Sequence, residues 1–138
     1  MNSRPLMTVR FTAAPAQKLG AVPHGVRSVI PVTGGDFEGP RLRGRVLPGG
    51  GDWLLLRPDG VLELDLRVTL ETDDHALILM TFQGLRHGEV KDPASYYFRT
   101  LPRFETSTEK YAFLNRIVTV GVGEARPDGA VHRIDEIL

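Results

Sequence analysis

The run from Val61 to Thr72, VLELDLRVTLET, alternates apolar and polar residues without a break. Leu62, Leu64, Leu66, Val68 and Leu70 share one phase; Glu63, Asp65, Arg67, Thr69 and Glu71 share the other. Successive side chains of a β-strand point to opposite faces, so this period-two pattern fits a strand with one apolar and one charged face. Alternation carries no sign, however. It leaves open whether the charged face meets solvent, as in an ordinary antiparallel sheet, or lines a cavity that holds a ligand.

Fifteen glycines and ten prolines punctuate the rest of the chain, and no segment shows a long 3.6-residue period. Strands are expected at Met7–Ala14, Val26–Val32, Arg41–Leu47, Trp53–Arg57, Val61–Thr72, Ala76–Gly84, Tyr96–Leu101, Ile117–Glu124 and Val131–Ile137. Pro58-Asp59-Gly60 and Pro127-Asp128-Gly129 each separate two apolar runs. In such a turn proline presets φ, aspartate hydrogen-bonds its own backbone and glycine takes the positive φ. Two hairpins follow: Trp53–Arg57 with Val61–Thr72, and Ile117–Glu124 with Val131–Ile137. One short helix fits Glu109–Asn115, after the Ser107-Thr108 cap candidates. Strands at this spacing define an all-β chain, and closure removes exposed edges. The expectation is a single closed antiparallel β-barrel of about 8–10 strands with at most one short helix, spanning 1–138 as one domain.

Composition narrows the partners. The 138 residues suffice to bury a core without staples. The 17 basic residues are matched by 17 acidic ones, which leaves no concentrated positive surface for nucleic acid. The absence of cysteine removes disulfides, thiol nucleophiles and thiolate metal sites together. The start MNSRPLMTVRF lacks the apolar core of a signal peptide, and no apolar run is long enough to span a bilayer. A cytoplasmic protein without a membrane partner is the expectation.

Four stretches carry a resemblance: VIPVTGGDFEGPRLRGRVLPGGGDW (Val29–Trp53), LRPDGVLELDLRVTLETDD (Leu56–Asp74), YYFRTLPRFETS (Tyr96–Ser107) and YAFLNR (Tyr111–Arg116). Together, and in this order, the chain resembles the bacterial domain of unknown function 3237 family. The resemblance implies a closed antiparallel β-barrel and no particular activity. One departure is visible. Between Arg86-His87-Gly88 and Asp92-Pro93 stand only Glu89-Val90-Lys91, where relatives often carry a longer insert. The shortened loop is a candidate rim of the barrel mouth.

A barrel takes alternate side chains from every strand into its interior. The recognisable strands carry Asp65 with Arg67 and Tyr97 with Arg99, and Glu105 follows after a bend expected at Pro102. The resemblance favours the charged phase inside. A carboxylate beside an arginine in a dry barrel is an acid–base set, because burial and neighbouring charge move its pKa. The catalytic candidates are Asp65, Arg99, Glu105 and Tyr97, with Asp36 and Glu38 as further carboxylates. Tyr97 and Tyr111 are donors for an enolate or carbonyl oxygen. Glu38, Arg41, Trp53, Arg67, Phe104, Tyr111 and Asn115 complete the expected ligand contacts. This arrangement turns Leu62, Leu64 and Leu66 outward, where they need a second subunit to cover them. A polar interior and a homo-oligomer are therefore coupled expectations.

His24, His75, His87 and His132 stand alone, without HxH or HExxH spacing, so no metal site is expected. Only His87 is placed near a mouth. Gly34-Gly35-Asp36 and Gly49-Gly50-Gly51-Asp52 read as turns or bulges, and no nucleotide-binding fingerprint is present. No cofactor is expected. The reading that follows is a cofactor-independent acid–base enzyme of isomerase, cyclase or hydrolase type, acting on a small hydrophobic or aromatic molecule. Its alternatives are a non-catalytic ligand-binding protein and a structural or assembly module without a pocket.

Overall fold

The alternating run forms strand β6 (Leu62–Thr72), and its leucines point inward. In the computed structural model, which describes residues 1–138, Leu64, Leu66, Val68 and Leu70 are at most 5% exposed. Asp65 is half-buried and Arg67 exposed on the outer wall. The expectation of a charged interior is thus overturned. Burying four aliphatic side chains is favourable by roughly 1.5–3 kcal/mol each, whereas burying unpaired charges is costly. The need for a second subunit to cover these leucines lapses with it.

Ten strands build the barrel: β1 (Ser3–Ala13), β2 (Gln17–Val22), β3 (Gly25–Glu38), β4 (Arg43–Val46), β5 (Gly51–Leu56), β6, β7 (Leu77–His87), β8 (Tyr97–Glu105), β9 (Val118–Arg126) and β10 (Gly129–Ile137). They close antiparallel in the order β1-β10-β9-β8-β7-β6-β4/β5-β3, and β3 pairs back onto β1. The barrel has eight staves, since β4 and β5 lie end to end between β3 and β6. β2, absent from the expected strands, continues along the β1 side of β3. Both expected hairpins are present, as β5–β6 and β9–β10. β8 continues through Pro102 to Glu105 as one strand paired to β7. β8 pairs with β9 at Arg99 and Thr100, so Pro102 sits where no ladder N–H is required.

The two ends differ. One is shut by the 3₁₀ helix Glu109–Arg116, whose Tyr111 and Leu114 are buried. The Tyr111 hydroxyl donates to Asp74 at 2.7 Å, and Lys110 pairs with the same carboxylate at 2.8 Å. The opposite end carries the turns β2–β3, β5–β6 and β9–β10 and the shortened loop between β7 and β8. Nothing comparable to the helix covers it. No helix of the structure is long and apolar enough to cross a membrane.

Candidate functional site: a cavity at the open end of the barrel

Toward the open end the inward side chains shrink. Ala13, Ala125, Gly129 and Ala130 leave space that the large side chains of the lower layers fill elsewhere, and a cavity of about 100 Å³ results. Its apolar wall includes Phe11, Ile30, Leu54, Leu62 and Phe98. Three polar side chains enter it: Asp52 from β5, Arg86 from β7 and His132 from β10.

Each polar group is placed by strand periodicity. Asp52 shares the inward phase with Leu54. The β5–β6 ladder pairs Gly51–Arg67 and Asp52–Leu66, then resumes only at Leu55–Glu63. In that gap the Asp52 carboxylate accepts the main-chain N–H of Asp65 at 3.0 Å. Burial pushes the Asp52 carboxyl up to about 6; the bond from Asp65 N–H works against this, and the Asp65 charge adds to it. Such a group is ionised at neutral pH yet basic enough to take a proton.

Arg86 stands between Leu62 and Phe98 in the ladders, with its guanidinium 5.7 Å from the Phe98 ring centroid. None of the protein's ion pairs involves it. A partly buried, unpaired guanidinium beside a cavity has the donors to hold an anion. His132 is 1% exposed and boxed by Phe11, Phe82 and Phe98 at ring-centroid distances of 5.5, 5.0 and 5.1 Å. Desolvation lowers its pKa to about 4, so the imidazole is neutral, and its Nδ1 has no hydrogen-bond partner. No group of three His, Asp or Glu side chains converges as a metal would require.

The candidates read from the sequence fall elsewhere. Asp65, Arg99, Tyr97 and Trp53 do meet, but on the outer wall, around a wide hollow of about 770 Å³. There Arg99 lies 5.0 Å from the Tyr97 ring centroid and has no carboxylate partner. Arg67 is exposed on the same wall. The others gather at the closed end. Arg41 pairs with Glu136 at 3.0 Å and stacks 4.2 Å over Phe113. Asn115 exchanges two hydrogen bonds with the Thr106 main chain, Phe104 and Tyr111 belong to the core, and Glu38 and Glu105 are exposed strand ends. Asp36 is exposed and pairs with Arg10 at 3.0 Å. The outer hollow is the larger concavity, but the groups whose pKa burial shifts, Asp52 and His132, lie in the smaller, drier one, where electrostatic interactions are stronger.

Asp52, Arg86 and His132 were not among the site residues expected from the sequence. One signal marks two of them. Arg86 and His132 are polar residues on the apolar phase of their strands, in register with Met80 and Phe82 on β7 and with Ile134 on β10.

A closed β-barrel shut at one end, with an apolar cavity and a few polar groups at the other, has the concave, mostly apolar form that ligand pockets share. The chain belongs to the family described as "Protein of unknown function (DUF3237)", whose model matches residues 1–137. It is 32% identical over 149 aligned positions to a UPF0311 protein of Rhodopseudomonas palustris, covering all of this chain and 97% of that one. The crystal structure of that conserved protein superposes with a TM-score of 0.94 over 99% of this chain and 97% of its own. A beta-barrel like protein from Acinetobacter baumannii is 37% identical, with a TM-score of 0.88 over 98% and 94%. The hydroalkoxylation enzyme phnH of Penicillium herquei is 31% identical over 117 positions, spanning 84% of this chain and 70% of that protein.

Proposed function

We propose that the open-end cavity is a cofactor-independent active site that moves a proton on a small hydrophobic or aromatic molecule. The observation that carries this reading is the Asp52 carboxyl, held near pKa 6 by burial in an apolar cavity that an unpaired arginine also lines. A cavity of about 100 Å³ receives one ring of a substrate, with the remainder reaching out through the open end. Phe11 and Phe98 supply flat walls for that ring.

The hydroalkoxylation that names the Penicillium relative gives the chemistry a direction. Hydroalkoxylation adds an O–H across a C=C bond. In the proposed step Asp52 takes the hydroxyl proton as the oxygen bonds to carbon. Arg86 holds the negative charge that develops on the substrate's conjugated oxygen. The proton then returns to the neighbouring carbon, so the atoms balance without an external reductant or oxidant. Neutral His132 offers one hydrogen bond to the substrate from the cavity floor.

Cyclisation of 2′-hydroxychalcone, an aromatic enone with an ortho hydroxyl, tests the reading through its loss of near-ultraviolet absorbance. The rate is expected to rise with pH through about 6, and Asp52→Asn to remove both the rate and that inflection. Binding of the chalcone without turnover in the unsubstituted protein would make this a binding protein instead.

A further inference from the structure

The wide hollow on the outer wall has no part in the chemistry proposed for the interior. Leu55 shows that it is a true recess: it shares the outer phase of β5 with Trp53, yet is only 8% exposed. Leu85 of β7, Leu101 of β8 and Val120 of β9 continue the apolar lining. The volume of about 770 Å³ lies in the range of pockets that enclose a whole small molecule. Hollow and cavity stand back to back, since Trp53 and Leu55 face out where Asp52 and Leu54 face in.

The aromatic and charged side chains of the lining say what fits. The Trp53 ring lies over Gly51, where a Cβ would be 3.5 Å from it. The Tyr97 ring stacks on His87, with centroids 5.0 Å apart and planes inclined by 13°. Arg99 lies 5.0 Å from the Tyr97 ring centroid and donates to the Phe98 carbonyl at 3.1 Å. Those two contacts position the guanidinium and leave its other N–H groups to a ligand. Arg27 lies in the same ladder row, beyond Leu85, Glu63 and Leu55.

Charge sets the sign of the ligand. Neither Arg27 nor Arg99 has a carboxylate partner. Of the two carboxylates in the lining, Glu63 is shared with Arg57 at 3.5 Å and only Asp65 is unpaired. Positive charge is therefore in excess, and the acidic side chains disfavour a second negative charge on the ligand. We propose that the outer hollow binds a small aromatic monocarboxylate. Its rings pack on Trp53 and the leucines, and its carboxylate takes the Arg99 fork.

Titration of the full chain with 2-naphthoate tests the proposal. Trp53 is the single tryptophan, so nitrogen-15 NMR shows one indole N–H resonance, and it reports from the hollow itself. Naphthoate is expected to shift it saturably, with a dissociation constant of about 1 mM or below. Arg99→Met is expected to raise that constant about tenfold or more, and 2-naphthylmethanol, the same rings without the charge, to bind the unsubstituted protein as weakly. Leu101 is 61% exposed, so Leu101→Glu leaves the core intact and weakens binding by adding a like charge. Arg86→Met, which alters the interior cavity, leaves it unchanged. An indole resonance unmoved at about 5 mM naphthoate overturns the proposal. So does binding that Arg99→Met, with its circular dichroism unchanged, leaves intact, or equal binding of the alcohol. Binding lost in Arg86→Met overturns it too, because the naphthoate then sits in the interior.

Discussion

The Asp52 carboxylate accepts the main-chain N–H of Asp65 at 3.0 Å, across a gap in the β5–β6 ladder. Two neighbouring strands thereby hold an acid inside the barrel without a salt bridge. The single bond leaves the rest of the carboxylate for a ligand, and the ionised form stays destabilised by burial. Burial, acting against this bond, turns an ordinary aspartate into a base suited to neutral pH.

The first prediction concerns stability. The Asp52 pKa is raised in the folded state, from 3.8 to about 6. Its contribution is therefore fully present below pH 4 and lost as pH rises through 6. The loss amounts to roughly 3 kcal/mol. Asparagine keeps an acceptor for Asp65 N–H without the charge. Urea unfolding should show Asp52→Asn more stable than the parent at pH 8 by up to about 3 kcal/mol, with little gain at pH 4.

His132 has the opposite sign. Its folded pKa is depressed from 6.5 to about 4, so its contribution is present above pH 6.5 and lost as pH falls through 4. The two windows overlap, and the parent protein should hold nearly constant stability between pH 4 and 6 on their account. His132→Phe keeps the aromatic box and removes one slope. Melting curves of that variant should show stability rising as pH drops from 6 to 4, where the parent's is flat.

Gly123 tests the packing behind the cavity. A Cβ there would lie 2.6 Å from the buried Phe98 ring, which is boxed by Tyr96 and His132. Gly123→Ala should cost about 1–3 kcal/mol of stability. It should also drive Phe98 toward the cavity and weaken chalcone binding, read by titration calorimetry.

Tyr111 separates the two ends of the barrel. Its hydroxyl serves Asp74, whose carboxyl Lys110, Thr72 and Tyr111 hold well below the usual range. Tyr111→Phe should cost about 1 kcal/mol in urea unfolding while leaving chalcone cyclisation unchanged. Loss of turnover would move the active site to the closed end.

How much of this was legible depends on what each residue's pattern encodes. The barrel and both hairpins follow from period-two runs and Pro-Asp-Gly turns, and the short helical segment from the Ser107-Thr108 cap candidates. The inward face of β6 does not, because alternation is symmetric until the whole ring is closed. With Leu64 to Leu70 inside, the Asp65–Arg67 ladder faces water, and the sites expected around it move with it. Asp52 was hidden by three preceding glycines that read as a turn, although Gly51 already belongs to β5. Arg86 and His132 were visible as polar interruptions of an apolar phase. A lone histidine in such a place is more often core than site, and only the converging walls distinguish the two.

The central claim rests on one ionisation. With aspartate carboxyl carbons labelled with carbon-13, the Asp52 resonance can be followed through a pH titration by NMR, assigned by its loss in Asp52→Asn. The midpoint is predicted to lie near 6. A midpoint near 4, that of a carboxylate in water, would contradict the reading of the open-end cavity as an acid–base site.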